Sequence, residues 1–137
     1  MALTHLVDTS VLTRLADPAV RAAVERRLNE GQLARAGISD LEIGYGARNA
    51  AEWDRAMDAL DAFELVETTA DHMRRSRQVQ RLLAERHQRG RPVPDLLVAA
   101  AAEATGLPVL HYDADFERIA AVTGQRCEWV VPAGSAD

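Results

Sequence analysis

The chain has 137 residues, of which 47% are hydrophobic and 27% are charged, and its formal net charge is −5 at pH 7. This length predicts one domain with a core of ordinary size. No apolar run approaches the ~20 residues of a membrane helix, and the N-terminus lacks the basic start of a signal peptide. We therefore expect a cytoplasmic protein with no membrane partner, and its single cysteine, Cys127, excludes a disulfide framework and a cysteine zinc cluster.

Short apolar runs and longer amphipathic stretches alternate along the whole chain. Runs too short for helices predict strands at 3–7, 32–38, 63–66, 109–112 and 128–131. Caps, glycines and apolar periodicity predict helices over 11–15, 18–29, from 39 onward, 50–62, 70–90, 95–105 and 115–121. Thr9 or Ser10 is expected to cap the first helix. Because strands alternate with helices, the sequence predicts a single α/β domain in which a mainly parallel sheet of four to five strands is flanked by helices on both faces.

Four carboxylates stand where these elements meet. Asp8 follows the first strand and Asp113 follows the fourth, while Glu42 and Asp95 lie close to the starts of helices. In a parallel sheet, the carboxyl ends of the strands and the starts of the following helices share one edge, which is where ligands bind in open α/β folds. We therefore expect these four acids to converge.

Each acid also has an ordinary structural explanation. Ser39 and Glu42 have the spacing of a capping box, in which each side chain bonds the other residue's backbone N–H at a helix start. The helix dipole favours Asp95 in a first helical turn. Asp113 and Asp115 flank a strand-to-helix turn, where aspartate is common. None of these explanations requires the acids to converge, whereas the predicted fold does.

Converging carboxylates repel each other by about 4 kcal/mol per pair at 4 Å when the effective dielectric constant is 20. Such a cluster persists only if it is protonated or neutralised by cations. The four histidines are scattered along the chain, and those in strands, His5 and His111, are more typical of structural residues than of ligands. Oxygen ligands without cysteine or clustered histidine select hard ions. The sequence therefore predicts Mg²⁺ or Mn²⁺ at this edge.

A basic segment interrupts the acidic chain. Residues 74–91 contain seven arginines against one acid, Glu85, and the whole chain has no lysine. Arg74, Arg77 and Arg81 follow a helical i, i+3, i+7 spacing and share one face. This face suits contacts to an RNA backbone, or it is a solvated helix surface, and both interpretations stay open. The opposite, apolar face is predicted to contain Met73, Val79, Leu82 and Leu83.

Four short motifs occur in an order that resembles a known family. They are Leu6-Val7-Asp8-Thr9-Ser10, Ser39-x-x-Glu42, Pro94-Asp95 before an alanine-rich helix, and His111-Tyr112-Asp113-Ala114-Asp115-Phe116. Together they resemble the PIN-domain ribonucleases, and their length and order are most similar to the VapC toxins of bacterial toxin–antitoxin pairs. The resemblance spans residues 3–131.

The resemblance implies a Rossmann-like PIN domain over residues 1–132 and a flexible C-terminal tail over 133–137. It implies an endoribonuclease that hydrolyses RNA phosphodiester bonds, depends on Mg²⁺ with Mn²⁺ as a substitute, and is the growth-inhibiting toxin of a toxin–antitoxin pair. Its partners would be the RNA substrate, a VapB-like protein antitoxin and a second copy of the chain in a homodimer.

The resemblance also implies roles for individual residues. By motif position, the catalytic and metal-binding acids would be Asp8, Glu42, Asp95 and Asp113. Asp115 would be an accessory acid and Ser10 a hydrogen-bond partner of the site. His111 and Tyr112 stand where a small hydroxyl residue often precedes the first aspartate of the last motif.

Other functions of similar folds fit the sequence less well. Phosphatases that form an aspartyl-phosphate want a second aspartate two residues after the first, where this chain has Ser10. A receiver domain needs a lysine near its site, and the chain has none. The remaining alternative is a non-catalytic PIN-fold module for RNA binding or protein interaction, whose usual mark is the loss of acids, and none is lost here.

Overall fold

The computed structural model describes residues 2–88 and 92–137. Over this part of the chain, five strands alternate with seven helices, and none of the helices combines the length and apolar content that a bilayer crossing requires. The elements are β1 (Leu3–Val7), α1 (Thr9–Leu12), α2 (Pro18–Glu30), β2 (Gln32–Ala36), α3 (Gly37–Tyr45), α4 (Ala50–Leu60), β3 (Glu64–Val66), α5 (Ala70–Glu85), α6 (Val93–Thr105), β4 (Val109–His111), α7 (Asp115–Thr123) and β5 (Cys127–Trp129).

The five strands form one sheet with the order β3-β2-β1-β4-β5 and only parallel pairs. The chain steps outward from β1 through β2 to β3, and then returns to the other side of β1 for β4 and β5. Since crossovers between parallel strands are right-handed, this reversal puts the two sets of helices on opposite faces of the sheet. The predicted α/β fold with a central parallel sheet is confirmed.

Side chains on both faces of the sheet are buried, because neighbouring residues of a strand point in opposite directions. Leu6 of β1 belongs to a core with residues of α5, α6 and α7, and Val7 belongs to a second core with residues of α1, α2 and α4. Both side chains are fully buried. The layers are therefore helix, sheet and helix, with β1 as the central strand of the sheet.

The start of α1 differs from the prediction. Asp8, not Thr9 or Ser10, is the N-cap, because its carboxylate Oδ2 accepts the Ser10 backbone N–H at 2.9 Å. Thr9 is the first helical residue, so its hydroxyl is not used as a cap.

The predicted capping box at Ser39 and Glu42 is wrong. β2 ends at Ala36 and α3 begins at Gly37, so Ser39 lies inside the first turn rather than ahead of it. The N-cap is Ala36, which has no side-chain bond to the helix. Both predicted capping residues turn instead toward Thr9 of α1. The ordinary structural explanation for Glu42 is thereby removed.

Helix α5 begins with a capping box. Thr69 Oγ1 accepts the His72 N–H at 3.2 Å, and His72 Nδ1 accepts the Thr69 N–H at 3.3 Å. The helix ends at Glu85, before the predicted end near Gly90, a residue outside the described part. Histidine thus takes the place that glutamate usually has in this motif.

The buried face of α5 differs in part from the predicted apolar face. Val79 and Leu83 are buried as predicted, but Met73 is 51% exposed. His72 and Ser76 are buried on this helix instead of Met73. Ser76 can be buried because its Oγ lies 2.8 Å from the His72 carbonyl oxygen and 3.2 Å from the Leu96 carbonyl oxygen of α6.

A buried arginine joins three elements behind the carboxyl edge. Arg35 of β2 is 8% exposed, and its Nε lies 2.7 Å from Asp40 Oδ1 of α3. Its Nη1 donates to the carbonyl oxygen of Leu60 at 2.9 Å and also to that of Phe63. Breaking such a buried pair leaves an uncompensated charge, so Arg35 fixes α3 against the turn between α4 and β3.

The last residues, expected to be a loose tail, contact the end of the sheet. The Tyr112 hydroxyl donates to Asp137 Oδ1 at 2.8 Å and accepts the Ala136 N–H at 2.9 Å. Ala136 also packs against the core on the α2 face. A buried phenol that needs a hydrogen-bond partner explains these contacts.

Candidate active site

The acids from four separate elements lie at the carboxyl edge of the sheet. Asp8 directly follows β1 and Asp113 comes two residues after β4, so they flank the point where the strand order reverses. Asp95 is in the first turn of α6 and Glu42 is in the second turn of α3. A crevice at the reversal of strand order is the usual ligand site of such sheets.

Asp8 is held in place by neutral donors. It is 2% exposed, and the Ser10 N–H satisfies its Oδ2, whereas its buried Oδ1 has no hydrogen-bond partner in residues 2–88 and 92–137. The pKa of Asp8 is raised to about 6, mainly by burial and to a smaller extent by the charge of Glu42, against the opposing effect of the hydrogen bonds from Ser10. The Ser10 hydroxyl also accepts the Tyr112 N–H at 2.9 Å, which joins α1 to the end of β4.

Asp95 is the acid most affected by its surroundings. It is 7% exposed, and its Oδ2 has no hydrogen-bond partner in the described part of the chain. Burial, together with the charges of Asp8, Asp113, Asp115 and Glu42, raises the pKa of Asp95 to about 8. Without a cation, this carboxyl group therefore holds a proton at neutral pH.

Three of the acids can offer oxygens to one ion. Asp95, Asp113 and Asp115 each have a carboxylate oxygen within 4.8 Å of the others. Asp113 Oδ1 accepts the Asp115 N–H at 2.9 Å, and Asp115 Oδ1 lies 3.1 Å from Arg118 Nη1. Asp115, expected only as an accessory acid, thus lies in the same group as two expected ligands.

Asp8 and Glu42 lie outside this tight group but next to it. Their charges raise the pKa of Asp95, and the charge of Glu42 also raises the pKa of Asp8. Five acids therefore interact electrostatically at one edge, as the predicted convergence requires.

Thr9 contacts Glu42, although the sequence motifs assign Thr9 no role in the site. Its Oγ1 lies 2.7 Å from Glu42 Oε1 and 2.8 Å from Ser39 Oγ. The only sequence signal for Thr9 is its position directly after Asp8, which predicts a helix cap. Contacts between residues 30 or more positions apart are not visible in a single sequence.

His111 supports Asp113 from within the core. The imidazole is fully buried, its Nδ1 accepts the Asp113 backbone N–H at 3.1 Å, and its ring stacks on Phe116 at 5.2 Å between centroids. Burial lowers the pKa of His111 to about 4, so the ring is neutral at pH 7. In this chain an imidazole thus holds the backbone at the start of the turn that contains Asp113.

The donor set fits a hard divalent cation. All five acids offer oxygen, and the two buried carboxylate oxygens, Asp8 Oδ1 and Asp95 Oδ2, lack the partner that buried polar atoms normally have in the described part of the chain. A cation would supply that partner and would screen the repulsion among the carboxylates. Oxygen-only sites of this kind suit Mg²⁺ or Mn²⁺.

The predicted arginines form a separate surface. Arg74, Arg77 and Arg81 are exposed and line one depression on α5 together with Gln78. Arg74 pairs with Asp71 and Arg81 pairs with Glu85 on the same helix. Among the described residues, no hydrogen bond or ion pair joins these arginines to the five acids of the site. The two last arginines of the basic segment, Arg89 and Arg91, lie outside that part of the chain.

Comparisons with known proteins agree with this arrangement. The family model of the PIN domain matches residues 5–122. Ribonuclease VapC51 from Mycobacterium tuberculosis is 63% identical over 137 residues, which is 100% of both chains. VapBC2 from Rickettsia felis, solved bound to a promoter DNA fragment, has a TM-score of 0.77 at 15% identity over 93% of this chain and 98% of that chain. VapBC-5 from M. tuberculosis, a toxin–antitoxin family member, has a TM-score of 0.65 at 24% identity over 94% of this chain and 98% of that chain.

The chain therefore belongs to the PIN-domain family and, within it, to the VapC proteins. The two solved structures are too distant in sequence to show more than the fold, and they confirm it. The resemblance found in the four sequence motifs is confirmed.

Asp95 gives the metal-free protein a pH-dependent stability. Its pKa of about 8 in the folded state lies above the ordinary value of 3.8. The folded state thus keeps a proton that the unfolded state loses. This contribution to stability is complete below pH 3.8 and is lost as the pH rises through 8. We expect the free energy of unfolding in EDTA to fall more steeply for wild type than for Asp95→Asn between about pH 6.5 and about pH 8.5.

Urea denaturation at several pH values measures both profiles. His111 does not disturb the comparison, because its lowered pKa of about 4 keeps it neutral throughout this window. Parallel profiles for the two proteins would contradict the assignment of a proton to Asp95.

Proposed function

We propose that this protein is a Mg²⁺-dependent endoribonuclease and acts in the cytoplasm as the toxin of a toxin–antitoxin pair. The observation that carries the proposal is the pair of buried carboxylate oxygens, on Asp8 and Asp95, that have no partner among the described residues and belong to a cluster of interacting acids. The name of the relative VapC51, a ribonuclease, supports RNA as the substrate. Mn²⁺ would substitute for Mg²⁺, since both ions prefer oxygen ligands.

The acids of the carboxyl edge would hold the ion. Asp95, Asp113 and Asp115 offer the closest set of oxygens, and Asp8 and Glu42 add charge from the other side of the strand reversal. When bound, such an ion lowers the pKa of a coordinated water and stabilises the charge that develops on the attacked phosphate.

The chain's own residues prepare this site in three ways. Ser10 orients Asp8 through a backbone N–H, and neutral His111 orients Asp113 through its Nδ1. Burial of Asp95 creates a strong demand for positive charge, because this carboxyl group must otherwise keep its proton. The water-attack mechanism requires no protein nucleophile, and Cys127 is a poor one because burial raises its thiol pKa.

The exposed arginine face of α5 is proposed to hold the RNA backbone. Two of its three arginines are paired with carboxylates of their own helix, but exposed pairs contribute only about 0.2–1 kcal/mol each. A phosphate can therefore replace those carboxylates.

A contact between α5 and α6 indicates how far the arginine face lies from the acids. Arg75, on the same helix as the arginine face, bonds Glu103 of α6 at 2.7 Å, and Glu103 lies eight residues, or about 12 Å along α6, from Asp95. The RNA would thus extend beyond the site of cleavage.

A VapB-like antitoxin and a second copy of the chain are the proposed protein partners. The toxin–antitoxin family membership of the VapBC-5 neighbour supports the antitoxin. Exposed apolar side chains on α3 and α4 support protein contacts of this kind, since Tyr45 is 95% exposed, Leu41 71% and Trp53 47%.

Glu42→Gln tests the proposed activity against a non-catalytic PIN-fold module. The Thr9 hydroxyl can donate to the amide oxygen of glutamine as it does to Glu42 Oε1, so the fold should keep its stability. The loss of one negative charge should lower the rate of RNA cleavage with Mg²⁺ by about a hundredfold or more. Cleavage of a fluorogenic RNA, with Mg²⁺ and in excess EDTA, measures the effect.

The matched control is Glu67→Gln, which changes an exposed acid outside the site and should cleave like wild type. Undiminished cleavage in EDTA, or a Glu42→Gln variant as active as wild type, would sink the proposed mechanism. A wild-type protein that binds RNA without cleaving it would favour the non-catalytic module.

The RNA-binding role of α5 predicts a change in salt dependence. Replacing Arg74, Arg77 and Arg81 by alanine should weaken RNA binding and reduce the salt slope by about one for each phosphate that the variant no longer binds. Because all three side chains are exposed, thermal stability should stay near that of wild type. Binding measured at several salt concentrations by fluorescence anisotropy checks this, and unchanged affinity and slope would show a merely solvated face.

A further inference from the structure

Thr9 lies between two residues of α3 that share one face of that helix. Ser39 and Glu42 are three positions apart, so their side chains lie one above the other. Thr9 Oγ1 is 2.7 Å from Glu42 Oε1 and 2.8 Å from Ser39 Oγ. Ser39 is fully buried, and Thr9 and Glu42 are half-buried. The three side chains form a short polar row between the first turns of α1 and α3.

The direction of these hydrogen bonds follows from the number of protons. The Thr9 hydroxyl has one proton to donate, and it can also accept, whereas an ionised Glu42 can only accept. Thr9 therefore donates to Glu42 Oε1, and the short contact to Ser39 is made by the Ser39 hydroxyl donating to Thr9. The row runs from Ser39 through Thr9 to Glu42.

We propose that Thr9 is a positioning residue for Glu42, and that Ser39 fixes the Thr9 hydroxyl in the donating orientation. The inference rests on the proposed function, in which Glu42 helps to hold a divalent cation. Thr9 directly follows Asp8, so one turn of backbone supports Asp8 and orients the acid that comes from α3. Two acids from different elements are thereby fixed relative to each other.

Glu42 needs such a restraint. The glutamate side chain has up to about 2 kcal/mol of rotamer freedom to lose. The charge of Glu42 is also repelled by that of Asp8, and by that of Asp95 once Asp95 is ionised. Both effects favour rotation of this carboxylate away from the site. The Thr9 bond occupies Oε1, while Oε2 accepts no hydrogen bond in residues 2–88 and 92–137. Glu42 thus keeps one oxygen oriented by protein and one open to a cation.

Thr9→Val removes the hydroxyl and keeps the shape of the side chain. In full-length, RNA-free protein, isothermal titration should show Mn²⁺ binding weakened about tenfold, the size typical of removing a partner behind a ligand. Thr9→Ser keeps a donor and should restore wild-type affinity. A purely structural bond between α1 and α3 would instead lower thermal stability in EDTA and leave the Mn²⁺ affinity of the folded protein unchanged.

A double substitution tests whether Thr9 acts through Glu42. If it does, Thr9→Val should reduce Mn²⁺ affinity little further in a Glu42→Gln background. Thr13→Val is the matched control, because Thr13 is an exposed threonine at the end of the same helix, and it should bind Mn²⁺ like wild type. Two results would overturn the inference. One is wild-type Mn²⁺ affinity in Thr9→Val, and the other is an equal reduction of Mn²⁺ affinity by Thr9→Val in the wild-type and Glu42→Gln backgrounds.

Failure of the proposed function gives a different result. If Glu42→Gln alone binds Mn²⁺ and cleaves RNA like wild type, the role of Glu42 itself fails. If Glu42→Gln loses both while Thr9→Val loses neither, only the positioning role fails. Should Thr9→Val not fold, Ser39→Ala decides the question, since it removes the donor that orients Thr9. Reduced Mn²⁺ affinity in folded Ser39→Ala supports the inference, and unchanged affinity overturns it.

Discussion

Repulsion among carboxylates at one edge of the sheet is the constraint on which the site depends. The strand order reverses between β1 and β4, and this topology brings together acids that lie far apart in the sequence. Asp95 experiences the consequence most strongly, because burial and four neighbouring charges raise its pKa to about 8. Such an edge is stable only with a retained proton or a bound cation, so the fold creates a site where a cation can take the place of a proton.

The residues around Asp8, Glu42 and Asp113 orient these three acids without neutralising them. Ser10 offers a backbone N–H to Asp8, Thr9 a hydroxyl to Glu42, and the neutral ring of His111 accepts the N–H of Asp113. A lysine or arginine in any of these places would satisfy the charge and remove the demand for an ion. These neutral groups keep the carboxylates in position and leave their charge available to a cation. This distinction separates a metal site from a structural ion pair such as Arg35 with Asp40.

The alternation of apolar runs and amphipathic stretches predicts the sheet, its two covered faces and the edge where the acids meet. These features depend on local periodicity, which one sequence carries. The sequence could not show that Ser39 lies inside α3, because S-x-x-E fits a helix start equally well. The roles of Thr9 and Arg35 depend on partners distant in the chain. Likewise, Tyr112 holds the last residues through contacts that their composition does not reveal.

The number of protons released when Mn²⁺ binds tests the central claim most directly. If a cation replaces the proton on Asp95, isothermal titration at pH 7 in buffers of different ionisation enthalpy should show release of about one proton per protein. The release should almost vanish in Asp95→Asn and at a pH well above 8, where Asp95 is already ionised. Mn²⁺ binding without proton release at pH 7, or no binding at all, would contradict the account.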